Sequence, residues 1–391
     1  MVIKPMIRSN MCMNAHPVGC QKEVLDQISY VKSKSGVDGP KNVLIIGAST
    51  GYGLASRIVA AFGASANTFG VSFEREPSGK RTGTMGYYSN QALEAEAKKA
   101  GLVAESINGD AFSHEIKDET IARVKELFGT VDLVVYSLAS PVRKDPDSDT
   151  VFRSVLKPIG QTYTAKSINP QTAEIAEVSI DPANEEELAD TIRVMGGDDW
   201  KLWMGALIKA GVLSEGVKTV AYSYIGPEVT RAVYRDGTIG KAKEHLEQTA
   251  GELAQALAPL GGEAYVSVNK ALVTRASAVI PVVPLYLSLL FKVMKQKDLH
   301  EGTIEQMYRL FSQRLYGADL QLDDKGRIRM DDWELREDVQ SAVDQLWPQV
   351  TSDNVRELGD LDGYNRDFLG IHGFGRDDID YEADIDTELA L

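Results

Sequence analysis

Two groups of residues far apart in the chain have types and spacing suited to joint chemistry. Val43-Leu44-Ile45-Ile46 runs directly into Gly47-Ala48-Ser49-Thr50-Gly51-Tyr52-Gly53, and much later Tyr234 is followed by Lys243. The first group is an apolar strand ending in a glycine loop. Such a loop lets backbone approach a dinucleotide pyrophosphate while the next helix points its N-terminus at the phosphates. The second group offers a proton donor for a substrate oxygen and a cation for a nicotinamide ribose. Together they point to hydride transfer from a nicotinamide.

The glycine spacing is G-x3-G-x-G, the spacing of the short-chain dehydrogenase superfamily, and it lacks the lysine of a triphosphate-binding loop. Glu74 ends the next predicted strand, 21 residues after Gly53, where an acid binds the adenosine ribose hydroxyls of NAD. A carboxylate there also repels a 2′-phosphate, which favours NADH. Arg75 beside it leaves NADPH open. By their places at strand ends, Asp110 and Ala111 would bracket the adenine, and Leu138 and Ala139 would approach the nicotinamide side. Leu272, Val273 and Thr274 follow the sixth predicted strand of the alternating pattern, where this superfamily closes over the carboxamide.

Tyr234 and Lys243 are nine positions apart, which turns a regular helix by about 900° and puts them on opposite faces. They cannot cooperate from one continuous helix. Gly237 and Gly240 disfavour helix between them, and Thr238 is a good N-cap. Tyr234 is therefore expected in a loop and Lys243 in the first turns of the helix after it. Lys241 is the rival cation. It shares its stripe with His245, Gln248 and Glu252, whereas Lys243 shares one with Leu246, Ala250, Leu253 and Leu257. An inward lysine at a helix start is costly to bury without a purpose, which favours Lys243. Tyr222 and Tyr224 share a strand face, and Tyr224, nearer the ligand end, is a candidate for substrate.

The elements that must position these residues alternate. Helix is predicted over 14–34, strands over 42–47, 67–74, 103–109 and 131–138, and helices from Gly51, over 91–100 and over 114–128. A hairpin is predicted at 161–168 and 174–180, then helices over 184–195 and 198–210. Strands at 217–225 and 263–270 flank a helix over 239–258. This pattern predicts an α/β fold with a doubly wound parallel sheet, an inserted β-hairpin and helical C-terminal additions. One Rossmann-type domain is expected over 1–391, with an insertion at about 150–213 and an extension from about 296. The apolar run Ala278–Phe291 suits either core helix or one wall of an acyl-chain pocket.

The 391 residues carry a net charge of −15 and 43% hydrophobic residues, which argues for a sizeable core and against a nucleic-acid partner. Cys12 and Cys20 are too few for a secreted disulfide framework, and with His16 they fall one ligand short of a zinc site. No metal is expected. No apolar stretch is long enough for a signal peptide or a membrane span, so a cytoplasmic protein without membrane insertion is expected. Arg143, Lys144, Lys157 and Lys201 are candidates for a basic rim facing an acidic carrier.

The residues resemble the FabV-type enoyl reductases, which include the trans-2-enoyl-CoA reductases. The matching features are the glycine loop 47–53, Phe73-Glu74, the run from Tyr234 to Lys243, Asn14-Ala15-His16-Pro17-Val18-Gly19-Cys20 and Phe368-Leu369-Gly370-Ile371-His372-Gly373-Phe374-Gly375. The resemblance covers nearly the whole chain. It implies NADH-dependent reduction of a trans-2-enoyl thioester on acyl carrier protein or coenzyme A, by a monomer. It also implies that Tyr234 donates to the thioester oxygen, Lys243 holds the cofactor ribose, Tyr224 touches substrate, and Phe73 joins the cofactor residues. A ketone reductase or a non-catalytic NAD-binding regulator is the rival reading.

Overall fold

The computed structural model describes residues 1–388 apart from Ser9 and Asp319. A small hairpin, β1 (Ile7–Arg8) and β2 (Met11–Cys12), leads into α1 (Pro17–Lys32). The alternation follows as β3 (Asn42–Ile46), α2 (Gly51–Gly63), β4 (Asn67–Ser72), α3 (Met85–Lys99), β5 (Ala104–Asn108), α4 (His114–Phe128) and β6 (Val131–Tyr136). Hairpins β7 (Val142–Lys144) with β8 (Val151–Arg153) and β9 (Tyr163–Asn169) with β10 (Glu174–Ile180) interrupt it, then α5 (Glu185–Met195) and α6 (Asp198–Ala210). It resumes with β11 (Leu213–Ser223), α7 (Thr238–Leu257) and β12 (Glu263–Val268). The C-terminal part adds α8 (Val283–Gln296), α9 (Thr303–Arg309) with a π-helical continuation, β13 (Ile328–Arg329), α10 (Glu337–Gln349), α11 (Val355–Leu358) and α12 (Leu361–Ile371).

Seven strands form one parallel sheet in the order β13-β12-β11-β6-β3-β4-β5. The winding reverses between β3 and β6, and a doubly wound sheet opens a ligand crevice at the carboxyl ends beside such a point. β3 shows how the sheet is held. Val43 and Ile45 face a cluster with α1, α2 and α9, while Leu44 and Ile46 face one with Trp200, Trp203, Leu246 and Leu253. The alternation of a pleated strand thus serves two cores at once. A third apolar cluster, centred on α8 and covered by α10, α11 and α12, sits at the crevice and includes Tyr234, Leu272 and Val273.

The predicted elements form in the predicted order, and several details differ. α3 begins at Met85 rather than Gln91, because Gly86 lets its first turn pass against Glu74, where a Cβ would lie 2.3 Å from the carboxylate. The N-cap of α7 is Gly237; Thr238 is the first helical residue, and its buried hydroxyl donates to the Val155 carbonyl at 2.6 Å. The short strands β1, β2, β7, β8 and β13 were not expected. Two to three residues carry no readable alternation. His16 is the N-cap of α1, accepting from the Gly19 N–H at 3.1 Å, and Cys20 is buried within that helix.

Leu44 is fully buried at the middle of the sheet. Leu44→Ala should lower unfolding stability by about 2–5 kcal/mol, through lost burial and the cavity left behind. A urea titration followed by circular dichroism checks this. An unchanged midpoint would remove β3 from the core.

Candidate active site

The loop after β3 is shaped by close approach. Gly47 has φ +88°, and a Cβ there would lie 2.3 Å from the Ser137 carbonyl oxygen. A Cβ on Gly53 would lie 1.9 Å from the Gly47 carbonyl oxygen. Side chains at either place would push the loop away from the β6 end. Ala48 and Ser49 are buried, and Thr50 caps α2 with no side-chain hydrogen bond. The N–H groups of the first turn at Gly51 and Tyr52 are therefore available to a phosphate. The Tyr52 hydroxyl donates to the Lys270 carbonyl at 2.5 Å, tying this loop to the end of β12.

Glu74 stands just past β4. The Ser49 hydroxyl donates to Oε1 at 2.6 Å, and the backbone around Glu74 is pinned by Asn108 at 2.7 and 2.8 Å. Oε2 is buried and has no partner. A held carboxylate with one unpaired oxygen fits a ribose diol, and with the glycine cradle it fits a dinucleotide. The Phe73 side chain is 77% exposed.

Asp110 and Ala111 follow β5. The Asp110 carboxylate accepts from the Phe112 N–H at 3.0 Å, and the Ala111 carbonyl accepts from Lys117 Nζ at 2.9 Å and Trp203 Nε1 at 3.0 Å. Lys117 is buried and paired at 2.8 Å with buried Asp199, which also accepts from the Tyr136 hydroxyl at 3.1 Å. This buried network joins the loop after β5 to the end of β6, beyond which lie half-buried Leu138 and exposed Ala139. Sequence reasoning missed it. The available signal was Lys117 on the stripe of Thr120 and Val124, the argument that selected Lys243.

Tyr234 lies in the turn between β11 and α7, as its spacing requires, and is 8% exposed. Its ring meets that of Tyr224 edge to face, with centroids 5.0 Å apart. Burial, reinforced by the Glu334 carboxylate, holds its hydroxyl well above the usual tyrosine range, so it carries its proton at neutral pH. Gly240 allows the turn to fold onto the helix, since a Cβ there would lie 1.9 Å from the Arg235 carbonyl. Lys243 faces inward, with Nζ 3.5 Å from the Tyr222 carbonyl. Desolvation lowers its ammonium to about 8, partly offset by Glu247. Lys241 is exposed and paired with Glu244 at 2.9 Å.

Leu272, Val273 and half-buried Thr274 complete the crevice; a Cβ built on Gly51 would touch Thr274 at 3.8 Å. Hairpin β9–β10 places Ile168 and Ala173 in the cluster with Tyr234, Leu272 and Val273, and Tyr52 and Tyr224 pack against it. The structure thus brings together the Tyr234, Tyr224 and 272–274 groups. The expected basic rim is not a set of free cations. Lys144, Lys157 and Lys201 pair with Asp149, Glu187 and Glu252 at 2.5, 2.6 and 2.6 Å, and Arg143 is buried with its guanidinium donating to the Arg193 carbonyl.

A doubly wound parallel sheet with a glycine loop, a held acid after β4 and Tyr234 and Lys243 around the start of α7 has the architecture of a nicotinamide-dependent reductase. The chain matches the family described as trans-2-enoyl-CoA reductase catalytic region over residues 81–316 and the NAD(P)H binding domain of trans-2-enoyl-CoA reductase over 2–79. It belongs to the trans-2-enoyl-CoA reductase family. It is 57% identical to an enoyl-[acyl-carrier-protein] reductase [NADH] of Flavobacterium johnsoniae, covering 98% of this chain and 97% of that one. It is 54% identical to a trans-2-enoyl-CoA reductase [NADH] of Ruminiclostridium cellulolyticum, covering 100% and 99%. The crystal structure of Treponema denticola trans-2-enoyl-CoA reductase with NAD superposes with TM-score 0.95 at 55% identity, covering 98% of each chain.

Residues 322–385 also match a model described as an enoyl reductase FAD binding domain. Their side chains do not fit a flavin. Val339, Val343, Val355, Leu361, Tyr364 and Phe368 pack into the cluster around α8. The buried acids Asp331 and Glu334 are held by Arg329 and by Tyr224, Tyr286 and the Ala271 N–H. Asp332 pairs with Arg309 and Asp360 with Lys295.

Lys243→Met should raise the stability of the ligand-free protein. A lysine lowered to about 8 from 10.5 costs the fold most below pH 8, where both states carry the proton. The cost fades as pH rises from 8 to 10.5, because the native lysine gives up its proton first. Urea midpoints at pH 7 and 10.5 check this. A gain that persists at the higher pH would mean that the charge is not its source.

Proposed function

We propose that this chain reduces the trans-2 double bond of enoyl thioesters, on acyl carrier protein or coenzyme A, to the saturated acyl thioester, with NADH as reductant in fatty acid synthesis. The observation that carries the reading is the protonated, buried Tyr234 set edge-on to Tyr224, with Leu272 and Val273 in the same cluster.

Bound NADH supplies the hydride. Gly47, Ala48, Ser49, Thr50, Gly51, Tyr52 and Gly53 cradle the pyrophosphate by backbone and helix N-terminus, and Phe73 and Glu74 receive the adenosine ribose. Asp110 and Ala111 bracket the adenine; Leu138, Ala139, Leu272, Val273 and Thr274 line the nicotinamide side. Reduction at the β-carbon puts negative charge on the thioester oxygen. Tyr234 donates its hydroxyl proton to that oxygen, and the ammonium of Lys243 holds the nicotinamide ribose and favours the developing charge; the enol then takes a proton from water at the α-carbon and gives up the one on oxygen, which leaves the saturated thioester. Tyr224 contacts the substrate, and the apolar face of α8 lines the acyl chain. We infer one domain over 1–391 with the insertion at about 150–213 and the extension from about 296. The family resemblance supports a monomer, and the lack of a long apolar run in the sequence supports a place in the cytoplasm; among the described residues no helix is long and apolar enough to cross a membrane.

With crotonyl-CoA, wild type should consume NADH, and Tyr234→Phe should lose roughly 10²–10⁴-fold in kcat with NADH affinity retained. Absorbance of NADH and a fluorescence titration check the two halves. NADH binding without turnover in wild type would sink the substrate assignment. Glu74→Ala should weaken NADH binding about tenfold to a hundredfold and narrow the preference over NADPH. Equal loss for both cofactors would place Glu74 away from the ribose.

A further inference from the structure

Glu334 lies between β13 and α10, outside the segment matched as catalytic, and is fully buried. Its carboxylate is used on both sides. Oε1 accepts from the Tyr224 hydroxyl at 3.1 Å and the Tyr286 hydroxyl at 2.7 Å. Oε2 accepts from the Ala271 N–H at 2.6 Å. Gln340 braces the arrangement, donating to the Tyr286 hydroxyl at 3.2 Å and the Glu334 carbonyl at 2.7 Å. Burial pushes the Glu334 carboxyl above the usual carboxylate range, and the positive charge of Lys270, buried at the end of β12, partly offsets this.

We propose that Glu334 is a positioning residue for the reduction, one carboxylate holding both the hydroxyl of Tyr224 and the peptide at the root of the loop 272–274. This rests on the reading of Tyr224 as a substrate contact and of that loop as a cofactor contact. The chemistry of the donor set gives the role its direction. The Tyr224 hydroxyl is the donor in its bond to Oε1, so its proton is committed there and its lone pairs face away. Tyr224 then cannot compete with Tyr234 as donor to the thioester oxygen. The same carboxyl group fixes Ala271, so the substrate-side tyrosine and the cofactor-side loop are set by one group. A buried charge is expensive, and apolar filling would stabilise a core at least as well. Retention of a carboxylate at this place is accounted for by orientation.

A glutamine separates the two halves. Its oxygen can take the Ala271 N–H, while its NH₂ must donate to the tyrosine hydroxyls and so turn their protons outward. The test compares wild type, Glu334→Gln, Glu334→Ala, Tyr224→Phe and the Tyr224→Phe/Glu334→Gln double variant, with crotonyl-CoA turnover and NADH titration. Glu334→Gln should lose roughly tenfold to a hundredfold in kcat/KM with NADH Kd within about twofold, and Glu334→Ala should also weaken NADH several-fold. The double variant should be no slower than its slower parent, because both changes act through one hydroxyl. Wild-type kinetics in Glu334→Gln, or losses that multiply in the double variant, would overturn the proposal even if the alanine variant fails to fold. Absence of turnover in wild type would instead overturn the reading of the reaction on which it rests.

Discussion

The constraint on which the structure depends is that all seven strands of the central sheet run parallel. Parallel pairing sends every carboxyl end to one edge, and the loops that follow must meet there. Gly47, Glu74, Asp110, Leu138, Tyr224 and Leu272 are each within a few residues of such an end, after β3, β4, β5, β6, β11 and β12 in turn. They are separated by more than 200 residues of chain, and the sheet places their loops along one crevice. The reversal of winding between β3 and β6 is the point at which a doubly wound sheet places its ligand crevice.

Within that frame, the ten-residue run from Tyr234 to Lys243 solves a directional problem. The tyrosine must reach the crevice from the side and the lysine from the helix behind it. A continuous helix would turn them apart, so the chain runs through a turn first. Gly240 is the residue that permits the fold-back, because the first turn of α7 presses onto the carbonyls of Tyr234 and Arg235. Thr238 anchors the same junction by donating to Val155, so the inserted segment before β9 holds that turn in place.

What the sequence made legible follows the strength of the local signal. The boundaries of α4 and the β9–β10 hairpin were readable because capping and alternation are local. The inward face of Lys243 was readable because a 20-residue helix repeats its pattern several times. β13 was not, since two residues at a sheet edge have no period, and Glu334 was hidden with it. An acid in the run Asp331-Asp332-Trp333-Glu334 looks like solvated surface until the partners arrive from β11, α8 and the end of β12. The same holds for Lys117 and Asp199, 82 residues apart in sequence and in direct contact in the fold. The basic rim failed in the opposite direction: lysines counted as free cations lie beside carboxylates that the sequence does not show to be neighbours.

That pairing bears on how a chain of net charge −15 can take up anionic ligands. Salt screens exposed charges beyond about 8 Å, so the acidic surface has limited reach into a crevice closed by apolar side chains. Attraction can come from the N–H groups at the start of α2 and from the inward ammonium of Lys243. Lys243 is depressed to about 8 by desolvation, so it is held in its charged form against a cost. A low-dielectric setting makes the cation expensive to keep and makes its attraction for an arriving negative charge stronger. The penalty and any attraction for negative charge therefore have one physical origin.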